Sequence, residues 1–553
     1  MTNRGAASFH RSVAWGALSA LGLVLATATP AHAAVTLTGD AATAFEAKPF
    51  QTGLNTPTDL AVLPDGRVII IQKSGDIATV PAGGGDPIED HINVSTNSEQ
   101  GLLGIIPDPN FATNQYIYVY ADNPNSQADR HQILRYKFGA DSKLGTKTVV
   151  VDMGLEGPAN HDGGGIDIYG GNLYMGVGDT GANASPPTNH YGSCLNKGNG
   201  KVLRVSIADA TLGQPPADNP LVNVPMVTGC DSTGGGFKMV APDKRIYAWG
   251  FRNPYRLWVD KTTGKVWVGD VGEVTREEID VVQMGKHHGY PFREGTMDWA
   301  QNFAPAGECM GMTPASECIA PVFDYDRVGK DSSVIGGRIL DGCDWPAVWK
   351  SRYIFGDYNQ HKIWTVDVNA TRDGIVANSQ KDFANTAAIT GMRMGTDNAL
   401  YILEESGGTV TRVTATGSTS TRNSCPAVNA DPTSPSGGGG APSGGAAAGG
   451  AAAGGNAPVA GQTSTAGATS AGGSGGTSSA GSSSTTAGTA NNTAGSGTSV
   501  TPGGGTSANG ASSGDSGGCG CQVVGAPGHA TLGFGALLAA FGLGLRRRRG
   551  QQR

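Results

Sequence analysis

Six times before residue 404, an alternating apolar strand runs into a turn carrying Gly, Asp or Asn and returns as a second alternating strand. The copies are residues 59–71 (DLAVLPDGRVIII), 102–120 with a longer loop, 165–179, 257–270, 352–364 and 392–403. Side chains on a strand alternate between faces, so each copy has an apolar face that only a neighbouring unit can cover. Six copies over about 380 residues leave roughly sixty per unit, which accommodates a four-stranded blade and one long loop. Closing such units into a ring leaves no exposed sheet edge. The pattern therefore predicts an all-β chain, a six-bladed β-propeller of four-stranded antiparallel blades. A pair of β-sandwiches or a β-helix is the alternative built from the same alternation. Helical periodicity is nearly absent.

Composition divides the 553 residues into parts, because much of the glycine (87 residues) is concentrated after residue 418. Residues 34–417 form the globular propeller region. Residues 418–518 are almost wholly Gly, Ser, Thr, Ala and Asn, with scarcely a charge and no aromatic. Such a segment buries too little apolar surface to offset its backbone entropy, so it reads as a disordered linker. At the front, Arg4 and Arg11 precede an apolar stretch at residues 13–28 and a small-residue site at Ala31 to Ala33. Residues 1–33 thus read as a signal peptide, the alternative being an uncleaved anchor. At the back, residues 519–553 hold Cys519 and Cys521, an apolar run at residues 530–545, and four arginines at 546–549. That order predicts a C-terminal transmembrane helix whose arginines stay cytoplasmic, and a plain membrane anchor is the simpler alternative. The whole describes an exported protein of the cell surface or outer membrane, or one released from it.

Six further cysteines precede the tail, Cys194, Cys230, Cys309, Cys318, Cys343 and, just beyond the propeller region, Cys425. In an exported chain an even count without C-x-x-C spacing suggests disulfides rather than zinc. Neighbours in sequence suggest Cys194 with Cys230, Cys309 with Cys318, and Cys343 with Cys425. The formal charge of −7 argues against nucleic acid and other polyanions as partners. No nucleotide-binding loop, nucleophile elbow or sialidase-like carboxylate and arginine pattern is present.

Four separate loops carry a resemblance. Residues 99–111 (EQGLLGIIPDPNF), 160–164 (NHDGG), 250–254 (GFRNP) and 269–273 (GDVGE), the last followed by Glu278 and Asp280, stand in the order of the glucose/sorbosone dehydrogenase family. The chain resembles its soluble aldose sugar dehydrogenases over residues 45–415. The end of the chain resembles the C-terminal sorting tail of myxobacterial surface proteins, which implies a sorting protease as a partner.

The resemblance implies pyrroloquinoline quinone (PQQ) on the propeller axis, an aldose sugar as substrate, a lactone as product and an external electron acceptor. His161 matches the histidine that takes the hydroxyl proton, Asp179 the carboxylate that orients it, and Arg252 the cation that stabilises charge on the quinone oxygens. Glu99, Asn253 and Asn359 fall at further cofactor-binding positions. Asp270, Gly272, Glu273, Glu277 and Glu278, near Asp280, match a calcium loop and supply hard oxygen ligands. Glu99 stands where catalytic relatives have a glutamine, Asn359 where they have a lysine, and Arg393 is at most one of a pair of arginines. Each lost cation removes a charge-assisted hydrogen bond of about 1.5–3 kcal/mol to the quinone carboxylates. A second function class therefore stands beside the enzyme: a non-catalytic surface propeller that binds carbohydrate or protein and has lost the cofactor.

Overall fold

The computed structural model describes residues 35–125, 131–155, 160–181, 191–230, 237–298, 318–327 and 329–418. The expected signal peptide, linker and C-terminal tail lie outside these residues. Among the described residues no helix is long and apolar enough to cross a membrane.

Six antiparallel sheets form the six predicted blades. Blade one runs through Pro57–Val62, Val68–Gln72, Asp76–Val80 and Ile88–His91, and blade two through Leu102–Pro107, Tyr116–Asp122, His131–Phe138 and Leu144–Asp152. Blade three uses Ile166–Tyr169, Asn172–Val177, Lys201–Ser206 and Ile246–Trp249, and blade four uses Pro254–Val259, Val266–Asp270, Arg276–Val282 and Phe323–Asp326. Blade five comprises Val334–Leu340, Arg352–Asp357, Lys362–Asp367 and Lys381–Asn385, with a fifth strand, Thr36–Leu37, on its outer edge. Blade six comprises Ile389–Met394, Leu400–Glu404 and Thr409–Ala415 and takes its outer strand, Phe45–Gln51, from the start of the chain. The repeat pattern did not reveal that closure. Its physical sense is plain, because a ring is closed only when its two ends share a sheet.

The first strand of every blade is innermost, and these six strands neighbour one another in cyclic order. They pack so closely that small residues are required. A Cβ on Gly104 would lie 2.1 Å from the Gly164 carbonyl oxygen, and one on Gly336 would lie 2.7 Å from the Gly269 nitrogen. Between the blades, apolar faces interlock. Trp267 of blade four stacks on Tyr353 of blade five at 4.8 Å, within a core that continues to Trp349, Phe383 and Phe45. Cys194, Cys318 and Cys343 are disulfide-bonded. The side chains of Cys230, Cys309 and Cys425, their expected partners, lie outside the described residues.

Arg256, buried on the inner strand of blade four, crosses the axis. Its Nε donates to the Thr390 carbonyl of blade six at 2.8 Å, Nη2 to the Thr58 carbonyl of blade one at 2.6 Å, and Nη1 to the Leu103 carbonyl of blade two at 3.2 Å. Nearby, Asp59 of blade one accepts both Nε and Nη2 of Arg393 in blade six and the Ile105 N–H of blade two. Sheet hydrogen bonds hold each blade together; these two guanidinium groups hold blades to one another. R256A leaves three buried carbonyls of other blades without their donor, and the full chain should lose about 3 kcal/mol or more, read as a lower urea midpoint. R256K, which keeps the charge but not the fork, should recover only part of that loss.

Candidate active site

Antiparallel pairing places the residue before each first strand beside the residue after each second strand. One face of the ring therefore collects Lys73, Glu99, Asp122, His161, Asp179, Arg252, Asn253, Asp270, Ser333, Asn359 and Glu405, each within a few residues of such a strand end. In blade three the turn at residues 160–164 holds His161 at φ 56°, a conformation that only a few non-glycine residues adopt. At the returning strand, a Cβ on Gly178 would lie 1.7 Å from the His161 carbonyl oxygen. Glycine there lets the next residue, Asp179, come alongside the imidazole.

His161 Nδ1 and Asp179 Oδ1 are 2.6 Å apart, and Asp179 is fully buried. The carboxylate accepts, so Nδ1 carries the proton and Nε2 keeps the basic lone pair. Burial pushes the Asp179 pKa up, but the neighbouring His161 and Arg252 and the Gly181 N–H outweigh it, so the carboxyl sits below its ordinary value. Asp179 N–H also donates to the Arg252 carbonyl at 2.7 Å, linking blade three to blade four.

The Asp270 carboxylate accepts the backbone N–H groups of Arg252 at 2.9 Å and Asn253 at 2.6 Å. Arg252 Nη1 donates to the Val271 carbonyl at 3.1 Å, while its buried Nε has no partner among the described residues. Burial disfavours the guanidinium charge, but Tyr290, Asp179, Glu273 and Glu277 around it hold its pKa above the usual arginine value. Asn253 Oδ1 accepts the Gly163 N–H at 3.0 Å, and its Nδ2 has no partner among the described residues. Glu99 reaches from blade two, and its Oε2 accepts the His161 N–H at 2.9 Å. Of the residues expected to form the site, His161, Asp179, Arg252, Asn253 and Glu99 thus converge. Asn359 stands on blade five, where its Nδ2 donates to Ser333 Oγ at 3.1 Å.

The expected calcium loop is engaged by protein donors instead. Asp270 holds the two N–H groups of blade four, Glu273 Oε2 accepts the Tyr290 hydroxyl at 3.2 Å, and Glu277 accepts the Val334 N–H at 2.9 Å and pairs with Arg327 at 2.8 Å. The Gly272 carbonyl also accepts Arg327 Nη1. Burial raises the Glu278 pKa, with the Asp280, Asp270 and Glu294 carboxylates adding to it. The Arg327 guanidinium thus occupies the Gly272 and Glu277 end of this loop, and those two residues as arranged do not fit a calcium ion. Among the described residues, one group brings three metal-ligating side chains together: Asp122, His131 and Asp162, all buried. His131 Nδ1 lies against Asp122 Oδ1, whereas Nε2 faces Asp162 Oδ1 at 3.4 Å. The two carboxylates stand on opposite edges of the ring, which suits a bridge between blades two and three better than a shared ion.

Sequence reasoning missed Lys73, His131 and Arg327. Lys73 is nearly buried among Glu405, Asp162, Asp122 and Glu99; burial lowers its pKa and these carboxylates oppose that. The signal that could have found it is positional, since it follows the second strand of blade one as Asp179 follows that of blade three.

Fold and site together define a sugar-dehydrogenase type of propeller, with a carboxylate-oriented histidine and a buried arginine on one face. The family model described as Glucose / Sorbosone dehydrogenase matches residues 54–412, and the chain belongs to that family. An uncharacterized protein of Synechocystis is 30% identical over 330 residues, covering 54% of this chain and 74% of that protein. The aldose sugar dehydrogenase of Escherichia coli is 25% identical over 376 residues, covering 66% of this chain and 91% of the enzyme. Among solved structures, the apo form of the soluble aldose sugar dehydrogenase from Escherichia coli superposes with a TM-score of 0.52 at 21% identity, covering 67% of this chain and 99% of that one. The PQQ-bound aldose sugar dehydrogenase from Streptomyces coelicolor gives 0.50 at 20% identity, with 67% and 99% covered.

Because its folded pKa is depressed, Asp179 contributes stability that is complete above about pH 4 and is lost as pH falls through the folded value. The urea midpoint of Asp179→Asn should therefore lie below wild type near neutrality, and the two should approach each other in strong acid.

Proposed function

We propose that the chain is a PQQ-dependent oxidoreductase that oxidises the anomeric hydroxyl of an aldose to the lactone. The observation that carries this reading is the 2.6 Å contact between His161 Nδ1 and Asp179, which leaves Nε2 as a base on the same face as a buried guanidinium. The unpartnered donors Arg252 Nε and Asn253 Nδ2 fit a flat ligand edged with acceptor oxygens. Arg252, Asn253 and Glu99 would hold the quinone. When bound, PQQ supplies a two-electron acceptor for the hydride of the anomeric carbon.

The work left to the protein is that of its own side chains. His161 Nε2 removes the proton of the anomeric hydroxyl, and Asp179 keeps the ring in the required tautomer and stabilises the imidazolium that results. Arg252, kept cationic by its surroundings, favours negative charge developing beside it. Loss of that proton and of the hydride turns the C1–OH into the lactone carbonyl, and the two electrons leave to an external acceptor. Calcium has no step in this scheme, because Arg327 already faces the loop expected to hold it. The same reading places the protein outside the cytoplasm, with a signal peptide at residues 1–33 and a tail at 519–553 handled by a sorting protease.

The second reading, a surface module that binds carbohydrate or protein without turnover, draws on Asn359, a neutral side chain already bonded to Ser333. Full-length protein mixed with PQQ and assayed for dye reduction by glucose and other aldoses separates the two. Wild type should turn over, and His161→Ala should lose about 10²–10⁴-fold in rate while still taking up quinone, read by quenching of tryptophan fluorescence. Neither uptake nor turnover in wild type leaves only the binding module, and an unchanged rate in His161→Ala removes His161 as the base.

A further inference from the structure

Glu99 is 4% exposed and treats its two oxygens unequally. Backbone N–H groups of His161 and Asp162 bond to the carboxyl, the first at 2.9 Å on Oε2, whereas the buried Oε1 has no partner among the described residues. An ionised carboxylate carries its charge on both oxygens, and leaving one of them buried without a donor is costly. A protonated acid has one accepting and one donating oxygen, and the His161 N–H marks Oε2 as the acceptor. That arrangement leaves an O–H on Oε1 with nothing among the described residues to receive it.

Burial and the neighbouring charges act on this carboxyl in opposite directions. His161 and Arg252 favour the ionised form, and so does Lys73, which is itself set among Asp122, Asp162 and Glu405. Burial outweighs them and raises the Glu99 pKa.

We propose that Glu99 is protonated in the working site and that its Oε1–H donates a hydrogen bond to an acceptor oxygen of the bound quinone. The second half rests on the PQQ reading above; the first half does not. With its proton, this glutamate performs the task of an amide side chain; without it, the donor is lost and a negative charge faces a tricarboxylate ligand. Cofactor affinity in this chain is thereby tied to pH in a way that a glutamine at the same position would not produce.

Glu99→Gln is isosteric, and its melting curve verifies folding. The infrared difference spectrum of full-length wild type minus Glu99→Gln near neutral pH should contain a carboxylic acid C=O band that shifts in D2O. Absence of that band overturns the proposal whatever the quinone does. In PQQ titrations followed by tryptophan fluorescence, wild-type affinity should fall about tenfold per pH unit above the Glu99 pKa, while Glu99→Gln holds the low-pH affinity throughout. Parallel pH profiles in the two proteins overturn the donor role. A band present with no quinone uptake by either protein overturns the PQQ reading and the donor role with it, while the proton on Glu99 stands.

Discussion

Everything on the functional face depends on the closure of a ring. Six sheets that each hide one face against the next cannot end in an open edge without exposing apolar surface and unpaired backbone. This chain joins its ends by placing Phe45–Gln51 in blade six, and it pins the axis with Arg256 and with the Asp59 and Arg393 pair. The contribution of Arg256 comes from position. A planar fork of donors on one inner strand reaches carbonyls on three other blades, which no apolar side chain of that volume could satisfy.

Closure converts local antiparallel pairing into a catalytic geometry. Within a blade, the hairpin returns the end of the second strand to the start of the first; around the ring, the six starts converge. Histidine, carboxylate and arginine thus come from different turns and are tied by backbone groups, with Asp179 N–H on the Arg252 carbonyl and Asp270 on the N–H groups of Arg252 and Asn253. A side chain held by its own backbone in this way has little freedom to drift, which is the condition for a base to act at a fixed distance.

Much of this was legible in the sequence, and the reason is local. The strand alternation showed six blades because burial of a strand face has a period of two, and the motifs around His161, Asp179 and Arg252 lie at strand ends whose positions the hairpins set. The closing strand was not legible, because pairing between residues 45–51 and 409–415 leaves no short-range pattern. The acidic run from Asp270 to Asp280 looked like a cation loop because hard oxygens are close together in sequence. Folding directs Asp270 to backbone amides and Glu277 to Arg327, a residue of the fourth strand's end that no spacing rule connects to it. Lys73 and His131 escaped notice for the same reason, since each owes its place to carboxylates brought in from other blades or strands.

Burial raises the pKa of Glu99, Asp270, Glu277, Glu278, Asp357, Glu404 and Glu405, all on strand ends or turns at that face, while Arg252 is held as a cation. The shift favours the neutral acid, which repels an anion less than a carboxylate does and can donate where a carboxylate only accepts. In this chain Asn359 is neutral and Arg393 is engaged by Asp59, so burial of carboxyls by the closed ring, which shifts them toward the neutral acid, acts at this face in the same sense as the cation of Arg252.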